Sequence, residues 1–158
     1  MIVPPPGRTA FAAALALLTG RALTVGELST RLRRKGYDAA AIAETSSRLL
    51  EYGYLDDRRT AAAWAESAAH IRGLGPRRLR EGLVKRRLPR ELVEETVAGL
   101  FAAGEEAQLA LAVLAKWERA KGPADDTASR HAAYAHLRRR GFSSATSRAA
   151  LFNRAEIE

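Results

Sequence analysis

The sequence contains no cysteine, a single methionine and only ten aromatic residues among 158. Without cysteine there are no disulfides, thiolate metal sites or cysteine nucleophiles, and the chain suits a reducing cytosol. No run of 18 or more apolar residues is present, so no transmembrane helix is expected. The longest apolar candidate, residues 10–18, is also without a clear signal-peptide cleavage site. We therefore expect a cytoplasmic protein with no membrane contact.

Large apolar side chains are also scarce. Apolar residues make up 47% of the chain, but 33 of its 158 residues are alanine. Ala, Leu, Arg and Glu favour helices, and no alternating pattern is long enough to predict a sheet. The composition indicates an all-α protein built from thin helix–helix seams rather than around one thick core.

Start and stop signals for helices recur at short intervals. Residues 1–8 contain a proline run and predict a disordered tail. Thr24 and Glu27 have the spacing of a capping box, and Gly36 is placed to end the helix that follows. Asp38 can cap a third helix, which Gly53 ends. Three helices thus fit into the first third of the chain.

The same unit then repeats. The segments 32–37, 83–88 and 137–142 each read as leucine, a basic stretch, glycine or arginine, and a large apolar residue, at offsets of 51 and 54. We predict three tandem three-helix repeats at residues 9–54, 55–103 and 104–158, in an elongated, curved array of right-handed type. In the first helix of the second repeat, Ala61, Trp64, Ala68 and Ile71 are expected on one buried face.

Little in the sequence indicates catalysis. His131 and His136 lie about 140° apart on a helix and do not converge on a metal. The glycines at 73 and 75 follow a helix rather than a strand, which argues against a dinucleotide site. Asp56 and Asp57 form a tight acidic pair, and we interpret them as helix caps. We expect no enzyme active site, no metal and no cofactor.

The cations are more informative. Lys plus Arg is 26 against 18 acids, giving a formal net charge of +8, and 22 of these cations are arginine. Between residues 70 and 90 lie eight cations and one acid, and most of them are expected to face water or a partner. Each repeat carries a cationic cluster late in its second helix. The candidate contact residues are Arg31, Arg33, Arg34 and Lys35, then Arg77, Arg78, Arg80, Lys85, Arg86 and Arg87, and finally Arg138, Arg139 and Arg140.

Helix dipoles explain one or two terminal cations per helix, but not three or four adjacent ones that repel each other. We therefore favour an anionic partner. An acidic group follows the central basic block and predicts a polarised molecule: Glu91, Glu94, Glu95, Glu105 and Glu106. Charge alone leaves open a sequence-independent DNA-binding or architectural protein.

A signature occupies the middle of the chain, with structural positions at Gly53, Tyr54, Leu55, Asp56, Asp57, Trp64, Gly75, Leu79 and Leu83. It resembles the RecX family of regulatory proteins, and the resemblance extends over about residues 10–152. The sequence departs from the family pattern at Thr60, Gly82 and Ser147.

The resemblance implies a monomer of tandem three-helix repeats that binds the RecA recombinase filament on single-stranded DNA. Most members of the family inhibit RecA activities, some also bind DNA directly, and none is implied to use a cofactor. On this interpretation the arginine clusters form the RecA or DNA interface.

Overall fold

The structure, a computed structural model, describes residues 9–153 of the chain. The predicted tail at residues 1–8 lies outside the described residues, as does the end of the predicted third repeat. The helices are α1 (Ala10–Leu18), α2 (Val25–Arg34), α3 (Ala39–Glu51), α4 (Asp57–His70), α5 (Pro76–Lys85), α6 (Arg90–Leu100), α7 (Glu105–Lys121), α8 (Thr127–Arg140) and α9 (Ser144–Asn153). A short 3₁₀ helix, Ala102–Gly104, precedes α7.

The helices pack as three bundles of three consecutive helices, and within each bundle every helix contacts the other two. Each bundle encloses its own cluster of buried apolar side chains. The second helix of each bundle contributes two fully buried residues, which are Leu28 and Leu32, Leu79 and Leu83, and Ala133 and Leu137. No strand occurs between residues 9 and 153. The prediction of an all-α fold of three-helix repeats is confirmed.

Alanine forms the seams, as the composition suggests. In α4, the four residues Ala61, Ala65, Ala68 and Ala69 are buried where this helix meets α5 and α6. Ile71, predicted on the same face, is instead 74% exposed. The prediction was wrong because α4 ends at His70, so that Ile71 is the cap residue beyond the covered part of the helix.

The predicted caps are present. The Thr24 side chain accepts from the Glu27 N–H while the Glu27 carboxylate accepts from the Thr24 N–H, which completes the capping box. Asp38 accepts from the Ala41 N–H at 2.8 Å, and Asp56 accepts from the Arg59 N–H at 2.9 Å. These bonds fix where α2, α3 and α4 begin.

The turn after each second helix has the same backbone form. Gly36, Arg87 and Gly141 all lie in the left-handed region, with φ of 92°, 61° and 98°. The next residue of each turn, Tyr37, Leu88 or Phe142, is buried. The alignment at offsets of 51 and 54 residues therefore relates positions that are structurally equivalent. Arg87 adopts a conformation that costs a non-glycine residue about 1–2 kcal/mol.

The departures from the family pattern have local explanations. Gly82 is packed under Trp64: a Cβ at this position would overlap the indole ring, lying 2.7 Å from its Cζ2 atom. Ser147 is fully buried, and its hydroxyl donates to the Ser143 carbonyl oxygen at 2.7 Å. Thr60 is half-buried. Gly82 is thus matched to Trp64, while Ser147 has its polar group satisfied by its own helix.

Among the described residues, no single helix is long and apolar enough to cross a membrane. Helices α6 and α7 taken together have the length and composition for it, but the two are bent by 72° at the break between them.

The packing of Gly82 yields a stability prediction. Replacing Gly82 with alanine should lower the free energy of unfolding by about 1–3 kcal/mol, because the new methyl group displaces the Trp64 ring. Gly99→Ala is the matched control: Gly99 lies in α6, and a Cβ there meets nothing within 4 Å. That control should raise stability by up to about 1 kcal/mol through helix propensity. Urea unfolding of both variants gives the comparison, and equal stabilisation by the two would contradict the packing argument.

Candidate functional site

The first repeat meets the second where the N-terminus of α2 abuts the turn that ends α5. Gly26 makes this approach possible, because a Cβ there would lie 2.6 Å from both the Cβ and the carbonyl oxygen of Arg87. The Thr24 hydroxyl donates to the Arg86 carbonyl oxygen at 2.5 Å. One residue, Thr24, thus caps its own helix and satisfies a carbonyl at the end of another. We call this contact the first joint.

Arg86 closes the first joint with its side chain. Its guanidinium donates to the Glu27 carboxylate at 2.9 Å and to the Ala22 carbonyl oxygen at 3.0 Å. The side chains of Arg86 and Glu27 are only 16% and 13% exposed. Glu27 also accepts from Arg21 at 3.2 Å. A charged side chain that is this deeply buried is destabilising unless it is paired. The ion pair between Arg86 and Glu27 therefore favours one relative position of the two repeats.

Asp57 adds a third link to the first joint. Its carboxylate accepts from the Val25 N–H of α2 at 2.8 Å. Burial raises the pKa of this carboxyl, and the bond from Val25 opposes that shift. Asp56 and Asp57 are therefore both helix caps, as interpreted from the sequence, but they cap different helices. Asp56 caps α4, its own helix, whereas Asp57 caps a helix of the preceding repeat.

The second joint repeats this design between α5 and α8. The Gly75 N–H donates to the Arg140 carbonyl oxygen at 2.8 Å, and the Arg77 N–H donates to the Gly141 carbonyl oxygen at 3.1 Å. The approach is again close, because a Cβ at Gly75 would lie 2.7 Å from the Phe142 nitrogen. In the aligned repeats, Gly75 is equivalent to Thr24. The orphan N–H groups of one helix thus meet the orphan carbonyls of the next.

Arginine side chains complete the second joint. Arg77 donates to the Arg138 carbonyl oxygen at 3.1 Å, and Arg78 donates through Nε to the Arg139 carbonyl oxygen at 2.9 Å. Arg140 reaches back to the Arg72 carbonyl oxygen. Positive groups at helix C-termini are favoured by the helix dipole, and here they come from the neighbouring repeat.

The two joints arrange the second helices end to end, with α8 followed by α5 and α5 followed by α2. The cationic clusters lie at the C-terminal end of each helix. At a rise of 1.5 Å per residue, a ten-residue helix with its turn separates successive clusters by about 20 Å.

The structure divides the predicted contact residues into two groups. Arg77, Arg78, Arg86, Arg138 and Arg140 make intramolecular bonds, with Arg138 donating to the Phe142 carbonyl oxygen. Arg80 pairs with Glu94 of α6 at 2.8 Å. Six of the eight central cations are exposed, as expected, but several of them also bond to neighbouring parts of the chain. The reason is that helix ends at the joints leave carbonyl groups that guanidinium groups satisfy.

The second group has no hydrogen bond or ion pair from its side chains to the rest of the described chain. Its exposed members form what we call the free-cation row: Arg33, Arg34 and Lys35 at the end of α2, Lys85 and Arg87 at the end of α5, and Arg139 at the end of α8. Arg31 is half-buried beside them. The three clusters predicted from the sequence therefore reduce to a smaller set of available charges.

Acidic groups lie on other helices. Glu66, Glu95 and Glu105 line a groove between α4, α6 and the start of α7, where Arg58 pairs with Glu95. Within residues 9–153, no group of three or more His, Asp or Glu side chains is arranged to hold a metal ion. His131 and His136 line different grooves.

Sequence reasoning missed one group of cations, Lys116, Arg119 and Lys121 of α7. They line a groove between repeats 2 and 3, together with Arg72, Arg139 and Arg140. The sequence does show this cluster, because three cations fall within the last six residues of one helix. No equivalent cluster occurs in the first helix of the other repeats, so the search for repeated features passed over it.

The signature positions prove to be structural. Leu55, Leu79 and Leu83 are buried, and Gly53 has a left-handed φ of 73°. Tyr54 is 60% exposed. Asp57 and Gly75 belong to the joints, whereas Trp64 covers Gly82 inside the second repeat, so the signature combines contacts between repeats with packing within one.

Comparison with known proteins agrees with this fold of joined three-helix repeats. Residues 10–49 match the model of the first RecX three-helix domain, and residues 56–97 match that of the second. The chain is 33% identical over 137 residues to the "Regulatory protein RecX" of Mycobacterium sp. (strain JLS), covering 85% of this chain and 75% of the relative. It is 34% identical over 132 residues to that of Deinococcus radiodurans, covering 84% of this chain and 61% of the relative.

Solved structures show the same architecture. The crystal structure of RecX from Lactobacillus salivarius superposes with a TM-score of 0.80 at 17% identity, covering 91% of this chain and 93% of that one. These matches define a regulatory protein of tandem three-helix domains. The chain belongs to the RecX family.

The first joint can be tested through Asp57. Asp57→Ala should lower the free energy of unfolding by about 1–3 kcal/mol, because it leaves the Val25 N–H without its acceptor. Asp57→Asn keeps an acceptor oxygen and removes the cost of burying a charge, so it should remain close to wild type. Urea unfolding of the two variants measures the difference. Equal destabilisation by alanine and asparagine would show that the hydrogen bond is not what matters.

Proposed function

We propose that this protein regulates the RecA recombinase by binding its filament on single-stranded DNA. The effect is mainly inhibition of recombinase, ATPase and co-protease activities, in DNA repair, recombination and the SOS response. The protein acts in the cytoplasm as a monomer. Membership of a family of regulatory proteins supports this proposal, and the arrangement of the free-cation row gives it a physical basis.

The observation that carries the proposal is the spacing of the free cations. The joints set the three clusters about 20 Å apart, at the ends of successive helices. A periodic anionic partner, such as a filament of identical protomers on nucleic acid, presents charge at regular intervals. Several modest contacts at matched spacing gain from effective concentration, since the first contact holds the others close to their sites.

The joint arginines serve this function indirectly. Arg77, Arg78 and Arg86 hold the repeats in register, although Arg77 and Arg78 also remain exposed to a partner. Their replacement alters the spacing of the row together with its charge, which makes them poor reporters of binding. Arg34 and Lys85 are exposed, lie in different clusters and make no ion pair, and they report on the interface directly.

Direct DNA binding is the alternative function, and the same uncompensated cations favour it. It predicts binding to DNA without RecA and a steep loss of affinity with salt, because neutralised phosphates release counterions. Regulation of the filament predicts inhibition that depends on RecA.

The double charge reversal Arg34→Glu/Lys85→Glu should weaken inhibition of RecA by about tenfold or more, because each reversal replaces attraction by repulsion at an interface. The measurement is the concentration of the protein that halves single-stranded-DNA-dependent ATP hydrolysis by RecA.

The matched control is Arg59→Glu/Arg148→Glu, which changes net charge equally at two exposed residues outside the row. It should keep nearly full potency. An equal loss of inhibitory potency in both double variants would show that only net charge matters. No loss of potency in either variant would show that the free-cation row is not part of the interface. A parallel DNA-binding assay without RecA distinguishes the alternative function.

A further inference from the structure

A second cationic surface lies in the groove between repeats 2 and 3, which we call the α7 groove. It has a volume of about 580 Å³ and is bounded by the C-terminal half of α7, the turn between α4 and α5, and the end of α8. Six cations line it: Arg72, Lys116, Arg119, Lys121, Arg139 and Arg140. No carboxylate of the described chain is among its lining residues.

The charge of this groove is not compensated within the described part of the chain. Lys116, Arg119 and Lys121 make no ion pair there. Cations held close together repel each other, and the helix dipole of α7 offsets only part of that repulsion. An anionic ligand seated between them would relieve it.

The remaining lining is mainly aliphatic. Ile71, Leu109 and Val113 line the groove, and Ile71 is 74% exposed. Trp117 is half-buried beside His136, with ring centroids 6.3 Å apart and planes tilted by 41°. Ile71 therefore places one exposed apolar side chain beside the cations, so the groove offers both charged and apolar contacts.

The walls of the groove are fixed by contacts between the repeats. Gly73 approaches α7 so closely that a Cβ there would lie 2.7 Å from Val113 Cγ2. Arg140 bonds to the Arg72 carbonyl oxygen across the second joint. A ligand therefore meets a preformed site and need not order it, which lowers the cost of binding.

We propose that the α7 groove binds an acidic, amphipathic helical segment of a protein partner, with apolar side chains on one face and carboxylates flanking them. An amphipathic helix places its apolar residues on one face, where they reach Ile71 and Val113, and its flanking carboxylates meet the cations of the rim. Single-stranded nucleic acid fits less well, because bases bind on large exposed aromatic faces, whereas the aromatic lining of this groove is one half-buried indole and two imidazoles, His70 and His136. The proposal does not depend on RecA being the partner of the free-cation row.

The test uses the full chain and a fluorescein-labelled peptide of alternating glutamate and leucine pairs, with binding followed by anisotropy. Lys116→Glu/Arg119→Glu should weaken binding by about tenfold or more. Ile71→Ser should weaken it by about fivefold, since it removes apolar contact area. Arg34→Glu/Lys85→Glu is the matched control with equal charge change, and it should bind the peptide like wild type. Circular dichroism verifies that each variant is folded.

Two competitors complete the design. Unlabelled polyglutamate should compete at least about tenfold less well than the glutamate–leucine peptide, because it leaves the apolar floor exposed. Oligo-dT should also compete weakly. The proposal would be overturned if the peptide did not bind, or if polyglutamate competed as well as the peptide. It would also be overturned if oligo-dT competed more tightly than the peptide and lost that advantage in Lys116→Glu/Arg119→Glu. The peptide-binding assay contains no RecA, so its failure would not bear on inhibition of RecA through the free-cation row, which is tested separately.

Discussion

The structure depends on one contact made twice: the start of a second helix in one repeat against the end of the second helix in the next. Every α-helix leaves unpaired N–H groups at its start and unpaired carbonyls at its end. In the joints, these groups satisfy one another directly or through Thr24 and the joint arginines. Because the bonds are directional, the joints set the order and spacing of the repeats, which three small and separate cores do not do by themselves.

The joints also explain why arginine is preferred over lysine in this chain. A guanidinium group carries five donors in a fixed plane and can serve two acceptors at once. Arg77 bonds both Glu81 and the Arg138 carbonyl, and Arg86 bonds both Glu27 and the Ala22 carbonyl. A lysine in either place would keep the charge but lose this geometry. Part of the arginine content therefore serves architecture.

Local sequence signals predicted the local structure well. The capping box of Thr24 and Glu27 and the repeated turn ending at Gly36, Arg87 and Gly141 depend on short-range bonds that residue types largely determine. Ile71 was misplaced because helix periodicity does not reveal where the neighbouring helices stop covering a face. The candidate site was predicted only in part, since a run of cations does not show which of them bond to the neighbouring repeat.

Separating the joint cations from the free ones changes what the net charge of +8 means. Arg86 is paired at a depth where its field is largely neutralised by Glu27, and Arg80 is offset by Glu94. The free-cation row and the α7 groove concentrate much of the remaining positive charge, whereas the groove between α4 and α6 carries carboxylates. A field divided in this way orients an approaching partner, because different surfaces of the molecule attract charges of different sign. Orientation of this kind requires repeats held in a fixed arrangement, and the arginine bonds of the two joints supply it, with Arg86 the one largely withdrawn from water.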